Sequence, residues 1–115
     1  MPPKKNPLNL NALQLKTLSL VQALARLEEY ASPDPSEPGA IRINRLPQPH
    51  GNHFHLGNAV VASADATGLG NPAVWTALER KGLTTGNGFG GVVITALGLC
   101  YDTGLSDRMF HRADH

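Results

Sequence analysis

The sequence predicts a small single-domain α+β fold in which a long N-terminal amphipathic helix packs with short β-hairpins and a second, capped helix. Three observations carry that expectation. A leucine-rich stripe near the N-terminus has helical spacing, two later segments have a strand-turn-strand cadence, and Asn71-Pro72 with Gly82 beyond them brackets a helix by start and stop signals. A length of 115 residues suits one hydrophobic core. With 12 Gly and 9 Pro against 5% aromatic residues, the ordered elements must be short and separated by many turns.

Residues 1–7 hold three prolines and two lysines and read as a flexible N-terminal arm, residues 8–105 as the domain, and residues 106–115 as a polar C-terminal tail. From Asn11 to Tyr30, Leu13, Leu20, Leu24 and Leu27 mark one helix face that Leu18 and Val21 widen. Gln14, Lys16, Gln22, Arg26 and Glu29 should then face outward. Asn11 with Gln14 three residues on makes a capping box. Residues 31–40 carry Pro33, Pro35 and Pro38, which cannot continue a helix, and read as an exposed loop. Ile41 to Leu46 alternates as a short strand with Ile41 and Ile43 on its apolar face. His53-Phe54-His55-Leu56 and Ala59-Val60-Val61-Ala62 flank Gly57-Asn58, the pattern of a hairpin whose glycine supplies a positive φ.

Asn71 caps the second helix, Pro72 suits its first turn, and Gly82 lies where a left-handed residue ends it. Val74, Trp75, Ala77 and Leu78 form its inner side, and Ala73, Thr76, Arg80 and Lys81 its outer side. Leu83-Thr84-Thr85 should pair with Val92-Val93-Ile94 across Gly86 to Gly91, with Phe89 at the tip, and a short helix should follow.

This order from Asn71 to Gly98 resembles the recognition helix and wing of winged helix-turn-helix domains, where a Leu-Glu-Arg-Lys-Gly-Leu-like helix end leads into the wing. The likeness covers roughly half the chain. That family has a further helix before the recognition helix, whereas Ala64 to Gly70 read here as glycine-containing turns; a short helix across Ala62 to Leu69 would supply it. The resemblance implies a non-enzymatic DNA-binding or regulatory module. Thr76 and Arg80 would contact base edges or phosphates of double-stranded DNA, and Lys81, Thr84, Thr85 and Asn87 its backbone.

Charge limits that reading. Ten Lys and Arg against nine Asp and Glu give +1, so no overall field draws in nucleic acid, and a local basic patch must do so. An alternative is a protein-protein interaction module using Trp75, Phe89 or the first helix, whose leucine stripe also suits a homodimer. Cys100, in the apolar run Leu97 to Tyr101, is expected as a small buried hydrophobe. One cysteine allows no disulfide within the chain, which points to a reducing, cytoplasmic setting. No run approaches the ~20 apolar residues of a membrane span, and no signal-peptide core follows the first residues.

His50, His53 and His55 make a second concentration of chemistry. On a strand His53 and His55 share a face, which lets two ring nitrogens reach one divalent transition-metal ion. His111 and His115 offer another pair, with Asp65 or Asp114 to complete a site. No Cys-x-x-Cys or His-Glu-x-x-His spacing is present. No other cofactor is expected. A Gly-x-Ser-x-Gly elbow, a phosphate loop and a dinucleotide fingerprint are all missing from the sequence, and Ser63, Asp65 and the histidines make a triad only on paper.

Overall fold

A computed structural model describes residues 6–47, 51–57, 59–86 and 92–105, and the backbone of 111–112. The described residues form an α+β domain of helices and antiparallel sheets. In chain order the elements are α1 (Ala12–Leu24), β1 (Ala31–Pro33), β2 (Ile41–Ile43), β3 (His53–Leu56), β4 (Ala59–Ala62), a 3-10 helix (Ser63–Gly70), α2 (Pro72–Arg80), β5 (Thr84–Thr85), β6 (Val92–Ile94), α3 (Ala96–Cys100) and β7 (His111–Arg112). One sheet has the order β1-β2-β6-β5 and the other β3-β4-β7, with every pairing antiparallel.

The capping box of α1 forms as expected. Asn11 Oδ1 accepts from the Gln14 amide at 2.8 Å and Gln14 Oε1 from the Asn11 amide at 3.0 Å. The helix is neither long nor amphipathic, however. It has 13 residues, and Thr17, Leu18, Ser19, Leu20, Val21, Gln22 and Leu24 are all buried, which spans its whole circumference. It is the enclosed spine of the domain, covered by the 3-10 helix, α2 and α3. Its polar side chains tolerate burial because each is satisfied. Thr17 donates to the Leu13 carbonyl at 2.9 Å, Ser19 meets Thr103 at 2.6 Å, and Gln22 Nε2 donates to the carbonyls of Gly98 and Tyr101 at 2.8 and 2.7 Å. Gln22 is therefore an interior brace and not an outward residue.

No glycine or proline marks the end of α1. The chain turns through Leu27 N to Leu24 O and Ala31 N to Leu27 O, both 3.0 Å, which frees Ala31–Pro33 to pair with β2. Strand pairing thus overrides helix propensity after Leu24. The expected loop at 31–40 is correspondingly only partly a loop: Ala31 and Ala40 are buried, and residues 35–39 between them are exposed. β2 stops at Ile43, with Ile43 buried and Ile41 half-buried.

The β3–β4 hairpin has the expected bounds, with His53 opposite Ala62 and Leu56 opposite Ala59. Gly57 at its turn has φ +60. The 3-10 helix occupies the stretch read as turns, close to the short helix that the family resemblance asks for. Gly68 lets it approach α1, since a Cβ there would collide with the Thr17 side chain. Trp75 Nε1 donates to the Leu69 carbonyl at 2.9 Å and ties the 3-10 helix to α2.

α2 follows its signals closely. Asn71 Oδ1 accepts from the Ala73 amide at 3.0 Å, Pro72 is in the first turn, and Gly82 has φ +76. Val74, Trp75 and Leu78 are buried while Ala73, Thr76, Arg80 and Lys81 are exposed. The hairpin pairs Thr84 with Ile94 and Thr85 with Val93, and Asn87 and Phe89 lie outside the described residues.

Two expectations near the C-terminus change. Cys100 is exposed rather than buried, because the five-residue α3 turns Gly98 inward and leaves Ala96, Leu97 and Cys100 on the opposite side. The segment read as a polar tail contributes β7, which pairs with β4 through Ala59–Arg112 and Val60–His111. Among the described residues no helix is long and apolar enough to cross a membrane.

Candidate functional site

Of the described cations, three are held by carboxylates. Lys16 Nζ lies 3.0 Å from Asp65, Arg42 is 3.4 Å from Asp34, and Arg45 is 3.6 Å from Glu29 while its guanidinium covers the Tyr30 ring at 4.9 Å. Among the described residues Arg26, Arg80 and Lys81 have no carboxylate partner. Two of these three are adjacent. Arg80 closes α2 and Lys81 is its C-cap residue, both exposed, with exposed Thr76 one turn earlier on the same side.

A local arrangement fixes that pair. The Lys81 amide donates to the Ala77 carbonyl at 3.2 Å and the Leu83 amide to the Leu78 carbonyl at 3.0 Å, which closes the helix end. Thr95 then locks the end to β6 and α3. Its hydroxyl donates to the Gly82 carbonyl at 2.7 Å and accepts from the Gly98 amide at 3.1 Å, while its own amide donates to the Leu83 carbonyl at 3.0 Å. Sequence reasoning missed Thr95 as a positioning residue, although a threonine immediately before Ala-Leu-Gly is a legible helix cap.

The six residues expected at DNA therefore divide. Thr76, Arg80 and Lys81 share the outer side of α2, and Thr85 is exposed on β5. Thr84 is excluded from such a surface: it is fully buried, and its hydroxyl has no hydrogen-bond partner among the described residues. Alternation along β5 accounts for the difference, since neighbouring side chains on a strand point to opposite faces. Asn87 lies outside the described residues.

The histidine cluster is partly assembled. His53 and His55 lie on one side of β3, His55 exposed and His53 half-exposed, with their Nε2 atoms 3.0 Å apart and ring centroids 4.7 Å apart in an edge-to-face arrangement. His53 Nδ1 is 3.2 Å from Asn52 Oδ1. His50, His115 and Asp114 lie outside the described residues, and Asp65 is engaged by Lys16. Among the described residues no group of three His, Cys, Asp or Glu side chains is arranged to hold an ion. Ser63 Oγ is buried without a hydrogen-bond partner among the described residues, so it makes no hydrogen bond to a histidine there.

Trp75 is 4% exposed with its indole N–H satisfied internally, and α1 is enclosed, so neither offers the protein-binding surface expected of them. Among the described residues the large apolar side chain that does face outward is Leu97, 52% exposed on α3. No protein-family model matches this chain, and no curated protein or solved structure matches it either.

Proposed function

We propose that this protein is a non-enzymatic, winged-helix-like module that binds double-stranded DNA through the outer side of α2. The observation that carries the reading is the adjacent, exposed pair Arg80 and Lys81, without a carboxylate partner among the described residues and fixed at the end of a capped helix that runs straight into the β5–β6 hairpin. Two further features support it. The 3-10 helix leads through Asn71 directly into α2, so that a helical segment precedes the proposed recognition helix, and β2 lies beside β6, so that a strand preceding both pairs with the second strand of the hairpin. A capped helix presents a rigid row of side chains to a groove, and phosphate contacts supply most of the sequence-independent affinity.

With a net charge of +1, affinity should be modest and strongly salt-dependent. The test is fluorescence anisotropy with random-sequence duplex DNA over a salt series, for the wild type and for Arg80→Glu/Lys81→Glu. Micromolar binding is expected at low salt, with each phosphate contact contributing about −0.9 to the slope of log K against log salt. The double variant should bind weakly and lose about two contacts' worth of slope. Equal binding by both proteins would remove α2 from the role. If neither binds, the low net charge and the outward Leu97 favour a protein-binding module instead.

A further inference from the structure

The geometry points to a two-histidine metal site on β3, formed by His53 and His55, that takes a divalent late first-row ion with copper(II) preferred over nickel(II) and zinc(II). Neither residue serves the DNA-binding reading. They belong to the β3-β4-β7 sheet, whereas the α2 hairpin belongs to the other.

The argument begins with the strand. Residues two apart on an extended chain project from the same face, and in β3 the other face is committed inward: Leu56 is buried and Phe54 half-buried against the core. The two imidazoles are thus directed away from the core by the same alternation that anchors the strand. The backbone holds them in place, because β3 is paired along its whole length with β4 and the Ser63 amide, donating to the Asn52 carbonyl at 2.8 Å, extends that ladder by one pair beyond the open end of the hairpin.

The separation brings both nitrogens within reach of one ion once the rings turn toward it. Two nitrogens 3.0 Å apart, each about 2.0–2.1 Å from one ion, subtend roughly 95° at that ion. A near-right angle is the cis arrangement of tetragonal copper(II) and of square or octahedral nickel(II), and a tetrahedral zinc ion opens the pair to about 3.3 Å. Without an ion, the same contact is a hydrogen bond in which one Nε2–H donates to the other ring's bare Nε2. Chelation needs both lone pairs, so the bridging proton is displaced and both rings rotate about χ2 to face the ion; His55 is exposed and His53 half-exposed. Imidazole nitrogen suits copper, nickel and zinc alike, and their order at a given nitrogen site places copper first.

The test titrates copper(II), nickel(II) and zinc(II) chlorides separately into chelator-stripped full-length protein, followed by calorimetry, with electron paramagnetic resonance of the copper form. One copper should bind per chain, more tightly than nickel or zinc, with splitting from at least two nitrogens. His53→Ala and His55→Ala should each weaken copper binding by at least the roughly 10–100-fold that follows loss of a residue merely orienting a ligand. Far-UV circular dichroism checks that both variants fold. Unchanged copper affinity in a folded His53→Ala/His55→Ala double variant would overturn the assignment, as would a zinc preference in the wild type. Because the readout is metal affinity, it stands or falls independently of DNA binding.

Discussion

Gly98→Ala should destabilise the domain by an amount unusual for adding one methyl group. Gly98 is the buried residue of α3, and a Cβ on it would collide with the Leu83 carbonyl oxygen, lie 2.7 Å from Ile94 Cγ1 and 3.1 Å from the Leu83 carbonyl carbon. Ordinary contact begins at 3.4 Å, so the overlap with Ile94 alone is about 0.7 Å. Neither neighbour has room to yield. Ile94 and Leu83 are fully buried, and the Leu83 backbone is bonded on both sides, its amide to Leu78 and its carbonyl to the Thr95 amide. α3 must therefore retreat, and a shift of that size along the 2.8 Å bond from Gln22 Nε2 to the Gly98 carbonyl would lengthen it to about 3.5 Å, beyond the usual range of such bonds. Overpacking costs about 1–3 kcal/mol and the weakened buried bond about 1–3 more, while the alanine returns up to about 1 as a better helix former. A net loss of about 1–6 kcal/mol is expected, or roughly 4–24 °C in Tm for a chain of this length. Urea unfolding followed by circular dichroism measures it, with Gly70→Ala as the comparison, since a Cβ at Gly70 meets no atom within 4 Å. A Gly98→Ala protein within about 0.5 kcal/mol of the wild type would refute the packing argument, because surface changes commonly fall in that range.

Two further outcomes follow from single contacts, alongside the DNA and copper titrations already described. Asn71→Ala removes the acceptor for the Ala73 amide and should cost about 1 kcal/mol in urea unfolding, whereas Asn71→Ser should recover most of it. Cys100 is exposed, so in the folded protein one thiol per chain should react with an aromatic disulfide reagent at close to the rate of the urea-unfolded chain; strong protection would show that α3 is covered.

Where the sequence carried local signals, they were sufficient to place elements. Asn71, Pro72 and Gly82 delimit α2 by cap, first-turn proline and left-handed terminus, and Gly57 between two short strand-forming runs marks the turn of the hairpin. These are interactions among residues near in sequence. The end of α1 was illegible for the opposite reason: Ala25 to Tyr30 are compatible with helix, and the chain leaves it ahead of Ala31–Pro33, whose partner lies ten or so positions downstream in β2. Gln22 was misplaced by the same limitation. A glutamine on a helix reads as solvent-facing, and its acceptors at Gly98 and Tyr101 are long-range carbonyls that no periodicity encodes. At the candidate DNA surface, α2's outer residues were legible from its 3.6-residue repeat, but in a two-residue β5 there was too little alternation to separate inward Thr84 from outward Thr85.

The two sides of α2 bear different consequences for any binding experiment. Val74, Trp75 and Leu78 bury the inner side, and the helix end is held by Thr95 and, through it, by Gly98. Loss of DNA binding in Gly98→Ala would therefore be uninformative, since the helix end and the fold would be disturbed together. Arg80 and Lys81 touch none of that machinery through their side chains. Reversing Arg80 forfeits mainly its favourable position at the negative end of the helix, about 0.3–1 kcal/mol, and leaves the cap, the Trp75 anchor and the Thr95 lock intact. A folded Arg80→Glu/Lys81→Glu protein isolates the electrostatic contribution of the surface. Its salt slope, compared with that of the wild type, is accordingly the quantity that separates a DNA-reading helix from an ordinary solvated one.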